Sequence, residues 1–313
     1  VRNSGSIGLG GAGFPTSLKL GFDPKEKQPD FLIINGAECE PYITSDYRCF
    51  MEEGEDVLEG VLLMLKYLGI PKCVSGIEKN KPKAIEKMTR LCEKHDNITV
   101  KPLKSSYPQG AEKTLIFSTT GRVVKEGTLP LASGCIVINS STAAFIAQYI
   151  RTGMPLVKRR ITVDGNIVKK PSNFIVPVGM SIGEIVYYAE LSDKPDRIIL
   201  GGPMMGACAF DPDYPLSKTN NAVLMFADSP VYEPSDCIRC GKCVKACSMN
   251  LLPTELEHAF DMRDARQLEK LKVNLCVNCG ACSFVCPAKR NLAEKNQLAK
   301  AFLREQSTRK VRV

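Results

Sequence analysis

Eight cysteines fall in two runs of one spacing: Cys237-x-x-Cys240-x-x-Cys243-x-x-x-Cys247 and, 28 residues on, Cys276-x-x-Cys279-x-x-Cys282-x-x-x-Cys286-Pro287. Cubane iron-sulfur clusters take four thiolates, and in two-cluster ferredoxins each run gives three to the near cluster while its fourth crosses to the other. One [4Fe-4S] cluster is therefore predicted on Cys237, Cys240, Cys243 and Cys286, and a second on Cys276, Cys279, Cys282 and Cys247. Zinc and disulfides are the alternatives. Zinc sites usually take two ligands from one knuckle and two more a dozen or more residues away, a poor match to three cysteines and a fourth, twice over. Disulfide scaffolds are mostly short secreted chains, whereas this one has 313 residues and Val1 opens without the charged and apolar regions of a secretion signal. Gly241 and Gly280 follow the second cysteine of each run, where a missing side chain lets the backbone wrap closely. Pro287 follows the last cysteine, but Ser248 stands at that place in the first run, a departure that removes no ligand.

The length implies two or three domains, and 44% hydrophobic with 24% charged residues is ordinary globular composition. No window reaches 18 apolar residues, so a soluble, cytoplasmic protein is expected. In a reducing compartment eight of the 14 cysteines become ligands, and Cys39, Cys49, Cys73, Cys92, Cys135 and Cys208 remain thiols or small apolar residues. The net charge of +8 is uneven: residues 237–313 carry 15 Lys/Arg against 7 Asp/Glu, and residues 1–236 balance at 27 against 27. A basic cluster domain suits an acidic protein partner such as a ferredoxin, or an anionic membrane surface, and offsets the charge of thiolate-ligated clusters. A solvated helical tail over 292–313 is the plainer reading of the last part, and no aromatic-interleaved platform for nucleic acid is present.

Upstream, residues 1–21 place Gly8, Gly10, Gly11 and Gly13 within six positions, followed by Phe14-Pro15-Thr16 and Lys19. Glycines bring backbone N–H groups against an anion, and a helix starting near Pro15 would add its positive end. A phosphate-cradling loop is one reading and a flexible turn the other. It is neither a Walker loop nor a strand-led dinucleotide fingerprint. Beyond it, strands are expected at 31–35, 73–77, 98–103 and 135–139, and helices at 52–68, 81–94, 111–119 and 142–152. This alternation predicts an α/β fold with a largely parallel sheet, binding ligands beyond the carboxyl ends of its strands. Three polar sequences fall there: NGAECEP from Asn35, YPQGAEK from Tyr107 and NSST from Asn139.

GLGGAGFPTSLK, NGAECEP, YPQGAEKT and the CIRCGKC and CVNCGACSFVCPAKR runs, in this order, resemble the C subunit of the Rnf electron-transport complex over nearly the whole chain. That family carries an N-terminal barrel-sandwich domain ahead of the position of Val1, so a fragment or shortened relative is expected. The flavin half also resembles the FMN-carrying, NADH-oxidising subunit of respiratory complex I. The resemblance implies a Rossmann-like flavin domain with a parallel sheet at residues 1–156, a small β-grasp (SLBB-type) module at 157–227 and a C-terminal α-helical dicluster ferredoxin-like domain at 228–313. It also implies that Gly8, Gly10, Gly11, Gly13, Lys19, Asn35, Glu38, Gly110, Asn139 and Thr142 hold FMN, and that Phe14, Phe22, Glu40, Tyr107 and Glu112 meet NADH. Aromatics stack on nucleotide rings and carboxylates accept ribose hydroxyls, while core packing is the competing reading of Phe14 and Phe22. Ala37, Cys39 and Ala111 depart from the complex I pattern, where an acid, a glycine and a glutamate stand.

In residues 158–190 the alternation and Asp164-Gly165 read as a strand hairpin, Lys158-Arg159-Arg160 as a solvated boundary, 227–236 as a linker and 253–272 as helical. Nicotinamides move electrons in pairs and clusters move them singly, so a flavin between the two is a physical requirement. The expected function is that of an electron-transfer subunit of an Rnf-type ion-translocating ferredoxin:NAD+ oxidoreductase. Its cofactors would be NAD(H), FMN and two [4Fe-4S] clusters, and its place the cytoplasmic side of the membrane, peripherally. The other subunits of that complex, ferredoxin and NADH are the expected partners, and nucleic acid is not. A cobalamin reductase of the propanediol-utilisation type resembles the same architecture, and a zinc-binding interaction protein with no redox role is the alternative from another class.

Overall fold

The computed structural model describes residues 1–228 and 230–311. The expected linker at 227–236 and tail to 313 therefore lie partly outside the described residues. Two compact units are present, Val1–Val124 with Leu129–Ser229, and Lys125–Thr128 with Pro230–Val313. Among the described residues no helix is long and apolar enough to cross a membrane.

The first unit opens with a short helix α1 (Thr16–Leu20) and then alternates: β1 (Phe31–Gly36), α2 (Ser45–Glu52), α3 (Gly54–Leu68), β2 (Lys72–Glu78), α4 (Pro82–Cys92), β3 (Ile98–Leu103), α5 (Glu112–Thr120), β4 (Cys135–Asn139) and α6 (Ser140–Thr152). The strands form one parallel sheet in the order β3-β2-β1-β4. Its central strands are near-continuous apolar runs because helices cover both faces. Leu32 and Ile34 join one core with α2, α3, α4 and α6, while Ile33 faces the other with Leu115 and Ile116 of α5. The helix expected over 52–68 is α3, starting at Gly54, while α2 ahead of it, ending at Glu52, has no counterpart among the expected helices. Helix α3 lies directly on α6: a Cβ on Gly60 would overlap the backbone of Ala143.

A second sheet follows within the same unit, from β5 (Lys158–Asp164), β6 (Ser172–Pro177), α7 (Ile182–Ala189), β7 (Arg197–Leu200), β8 (Ala207–Ala209) and β9 (Ala222–Phe226). Its order is β6-β5-β9-β7-β8, with β5 and β9 parallel and the other pairs antiparallel. A hairpin, a helix and a returning central strand are the β-grasp arrangement. The strands β5 and β6 do pair as a hairpin, but Asp164-Gly165 is not its two-residue turn. It begins a longer connection, because Asn166 exchanges hydrogen bonds with the backbone of Ala227 at 2.9 and 3.0 Å and draws the chain toward the end of β9.

The second unit holds α8 (Lys242–Ala246), α9 (Pro253–Asp261), α10 (Ala265–Lys270), α11 (Ala281–Phe284) and α12 (Leu292–Val311). The helix expected over 253–272 is broken after Asp261. Arg263 takes a left-handed φ of 55°, and Asp264 caps α10 by accepting the Gln267 N–H at 2.9 Å. An offset of 39 residues relates the two halves: Cys276 to Cys237, left-handed Asn278 to Arg239, Gly280 to Gly241 and Lys289 to Asn250. Gly241 and Gly280, at φ 72° and 78°, cap α8 and α11, so each run turns at the glycine that follows its second cysteine. Helix α12 is not simply a solvated tail, for Leu292, Asn296, Ala299 and Leu303 are buried, and Ala299 and Leu303 share a core with Leu256 and Phe260 of α9.

Replacing Gly60 by valine forces α3 away from α6, and overpacking of this kind typically destabilises by about 1–3 kcal/mol. The expected result is a lower urea midpoint with an unchanged slope; an unchanged midpoint would refute the close contact.

Candidate functional site

In the second unit each hollow is ringed by four cysteines. Cys237, Cys240, Cys243 and Cys286 line one, and Cys247, Cys276, Cys279 and Cys282 line the other, three from one run and one from the other in each case. These are the two sets predicted from the crossing pattern. Four thiolates per site are the donor set of a cubane, so the residues present fit such a group. Among the described residues no group of three or more His, Cys, Asp or Glu side chains is placed to hold a single metal ion. The left-handed turns aim backbone N–H groups at sulfur: Arg239 at Cys237 and Asn278 at Cys276, both at 3.4 Å, and Leu251 at Cys247, also at 3.4 Å. Burial, with the neighbouring thiols Cys276, Cys279 and Cys247, pushes the Cys282 thiol up to about 12. Ligation must displace that proton.

The hollows differ in their walls. The first has exposed Cys237 and Cys240 and charged neighbours including Arg239, Glu257 and Arg290. The second is closed by Met249, Leu251, Val277 and Ala293, with Asn296 among them.

In the first unit the polar sequences meet at the carboxyl end of the parallel sheet, where Asn35 of β1 stands beside Asn139 of β4. Asn139 caps α6 by accepting the N–H groups of Ser141 at 3.0 Å and Thr142 at 3.3 Å, and its amide donates to Asp46 at 2.7 Å. The Thr142 hydroxyl accepts the Leu9 N–H at 3.0 Å, which fastens the glycine loop to α6. That loop is closed by Gly8 N–H to Phe14 O at 2.8 Å and Gly13 N–H to Gly8 O at 3.2 Å, with Gly11 at φ 105° and Gly13 at φ 66°. Gly10 faces Asn139: a Cβ there would stand 3.2 Å from its Nδ2. Helix α1 has only five residues, so it adds little dipole to this loop.

Lys19 Nζ is held by Glu112 at 2.9 Å and the Val137 carbonyl at 3.0 Å, which joins one residue of the implied FMN set to one of the NADH set. Asn35 donates to the Gly110 carbonyl at 3.0 Å, and the Gly110 N–H points at Cys39 Sγ at 3.5 Å. Glu40 accepts from the Tyr107 hydroxyl at 3.2 Å and the Met204 N–H at 3.0 Å, and burial raises its carboxyl above the usual range. Phe14 is exposed, whereas Phe22 packs against the main core. Glu38 accepts the N–H groups of Asp46 at 2.7 Å and Tyr47 at 3.1 Å, at the start of α2. Burial first, and then the Asp46 charge, lift Glu38 to about 8, and burial raises Asp46 as well.

Two residues here have no role in the sequence reading. Asp46 lies on α2, a helix not foreseen, and fixes both Asn139 and the Ser141 hydroxyl at 2.9 Å. Arg159, read as part of a solvated boundary, is only 5% exposed; it donates to the Leu9 carbonyl at 2.8 Å and to the Lys218 carbonyl. Its signal was strand alternation, since Arg159, Ile161 and Val163 all point inward from β5. Arg160 is likewise engaged, with Glu52 at 2.6 Å and Glu53 at 2.8 Å.

Residues 1–148 match the family model described as the Nuo51 FMN-binding domain, and residues 236–290 match a 4Fe-4S dicluster domain. The C subunit of a proton-translocating ferredoxin:NAD(+) oxidoreductase complex from Clostridium ljungdahlii is 40% identical over 278 residues, 88% of this chain and 60% of that protein. The C subunit of an Na(+)-translocating ferredoxin:NAD(+) oxidoreductase complex from Acetobacterium woodii is 40% identical over 82% of this chain and 58% of its own length. The chain thus spans about three-fifths of these relatives. Among solved structures, an NAD+-reducing [NiFe]-hydrogenase in its H2-reduced state shares the fold with a TM-score of 0.66 at 19% identity, over 97% of this chain and 61% of that one.

The crossed cysteine sets predict that Cys247→Ser removes the same paramagnetic cluster as Cys276→Ser, each dropping iron from about eight to about four per chain. Loss of two different clusters would refute the crossing. For Glu38 the folded value of about 8 lies above the ordinary 4.5, so the fold holds a proton that the unfolded chain releases. Stability should therefore fall as pH rises from about 5 to about 8. Glu38→Gln is expected to flatten that slope in thermal melts across the range; a slope identical to the parent's would contradict it.

Proposed function

The chain belongs to the C-subunit family of ion-translocating ferredoxin:NAD(+) oxidoreductases, and from that premise we propose that it is the electron-transfer subunit that passes electrons between NAD(H), FMN and two [4Fe-4S] clusters. The observation that carries this reading is the pairing of two four-cysteine hollows with a glycine loop fastened to α6 at the end of a parallel sheet. FMN, when bound, supplies the exchange between the paired electrons of a nicotinamide and the single electrons of a cluster.

The chain's own residues bind, orient and tune. Gly8, Gly10, Gly11 and Gly13 offer the backbone of the loop, with Asn139 and Thr142 fixed beside it by Asp46 and Leu9. Lys19 would carry the counter-charge for the flavin phosphate, and Asn35, Glu38 and Gly110 the rest of the cradle. Glu40, Tyr107 and Glu112, with Phe14 and Phe22, are the residues proposed for NADH. Tyr107 and Glu40 are already bonded to each other, and Glu112 to Lys19, so the two binding sets share fixed partners. None of these side chains needs to transfer a proton for electrons to pass. The four cysteines of each hollow, with the N–H groups aimed at their sulfurs, would hold the clusters and set their potentials. The proposed setting is the cytoplasmic face of a membrane-bound complex, held there by the other subunits, with ferredoxin as the distant electron partner.

Anaerobic protein reconstituted to about eight irons per chain and a full complement of flavin is expected to lose its visible absorbance when NADH is added. Fully loaded protein that NADH leaves unbleached would overturn the proposal.

A further inference from the structure

Asn296 is a polar residue in an apolar wall. It sits on α12, is 1% exposed, and lines the hollow of Cys247, Cys276, Cys279 and Cys282 beside Leu251, Ala281 and Ala293. Its Oδ1 is fully buried and has no hydrogen-bond partner among the described residues. A buried carboxamide without a partner is costly, so such groups normally have one. The two ends of the amide have nearly the same shape, and a half-turn about the last torsion places the NH2 where the oxygen lies. The sulfurs of a thiolate-ligated cluster only accept hydrogen bonds, so a cluster in this hollow meets the NH2 and supplies the missing partner.

The 39-residue repeat sharpens the argument, because the position that matches Asn296 in the other half is Glu257. Glu257 lines the first hollow and is also buried, but its carboxylate is taken by Arg290 at 2.8 Å and Lys295 at 3.4 Å. One half thus places at this position an acceptor already neutralised by two cations. The other half places a carboxamide whose buried oxygen has no partner among the described residues, and whose NH2 can turn into its place.

We propose that Asn296 donates an amide hydrogen bond to the sulfur of the cluster held by Cys247, Cys276, Cys279 and Cys282, and so makes that cluster easier to reduce than its apolar enclosure would allow. The inference rests on the two-cluster reading above. A donor at sulfur stabilises the more negative, reduced state, and hydrogen bonds to the sulfurs are among the factors that set cluster potentials. Asn296 is a tuning residue and takes no part in ligation.

The test is a dithionite titration of the whole anaerobic chain followed by electron paramagnetic resonance, in which each step adds one electron from the titrant and neither makes nor breaks a bond. The parent should show two reduction steps with about eight irons; a parent with fewer irons and no second step sinks the two-cluster reading itself, before any variant is compared. In Asn296→Leu one step should fall by about tenfold in its reduction equilibrium, ~59 mV for a one-electron couple, while the other stays. The pair Asn296→Thr and Asn296→Val separates hydrogen bonding from packing, since these side chains share a shape and differ by a hydroxyl. Threonine should hold the step above valine. Equal steps in the two, movement of both clusters together, or failure of all three variants to keep the four irons of that site would each overturn the proposal.

Discussion

One side chain joins the elements on which the first unit's candidate site depends. Asn139 ends the strand β4, caps the helix α6 with its oxygen and grips Asp46 of α2 with its nitrogen. Gly10 lies against it because no Cβ intervenes, and Thr142, one turn on, holds the next loop residue. Helix cap, helix-to-helix tie and loop anchor are thus one set of hydrogen bonds. A cap alone typically contributes about 1 kcal/mol, but here its loss would also free Asp46 and the glycine loop. The buried carboxyl of Glu38 accepts N–H groups at the start of α2, where the charge of Asp46 helps to raise it and Arg159 in turn acts on Asp46.

The second unit relies on covalent spacing more than on core. Its turns are set by glycines and left-handed residues at matching positions, and its N–H groups face sulfur. The apolar core of Leu256, Phe260, Leu268 and Leu303 buttresses α9 and α12 behind the hollows. Repetition of the frame does not make the two sites equal, for charged side chains stand in the wall of one while the wall of the other carries none.

Much of this was legible in the sequence. The cysteine sets could be read because ligand spacing is dictated by the size of the group it wraps, and all four parallel strands because FLIIN and CIVIN have no other comfortable place. What escaped was placement that depends on distant partners. Helix α2 starts with polar residues and is secured by Glu38, several positions upstream. Arg159 looks like surface charge in a basic triplet, and the carbonyls of Leu9 and Lys218, both far away in sequence, explain its burial. The break after Asp261 lay in a capping aspartate within a helical pattern. Asp164-Gly165 shows the converse, a strong local turn signal overruled by Asn166 reaching for the end of β9.

The crossed cysteines also order events in time. Cys286 closes the hollow that Cys237 opens, and Cys247 waits for Cys276, so neither ring of four exists until most of the second run has been synthesised. The flavin-type sheet and the β-grasp layer are complete in sequence by Phe226 and can be folded by then. Insertion of inorganic sulfur and iron therefore has to wait for the second run, and a nascent chain interrupted between the runs would carry four thiols with no complete home for either cluster.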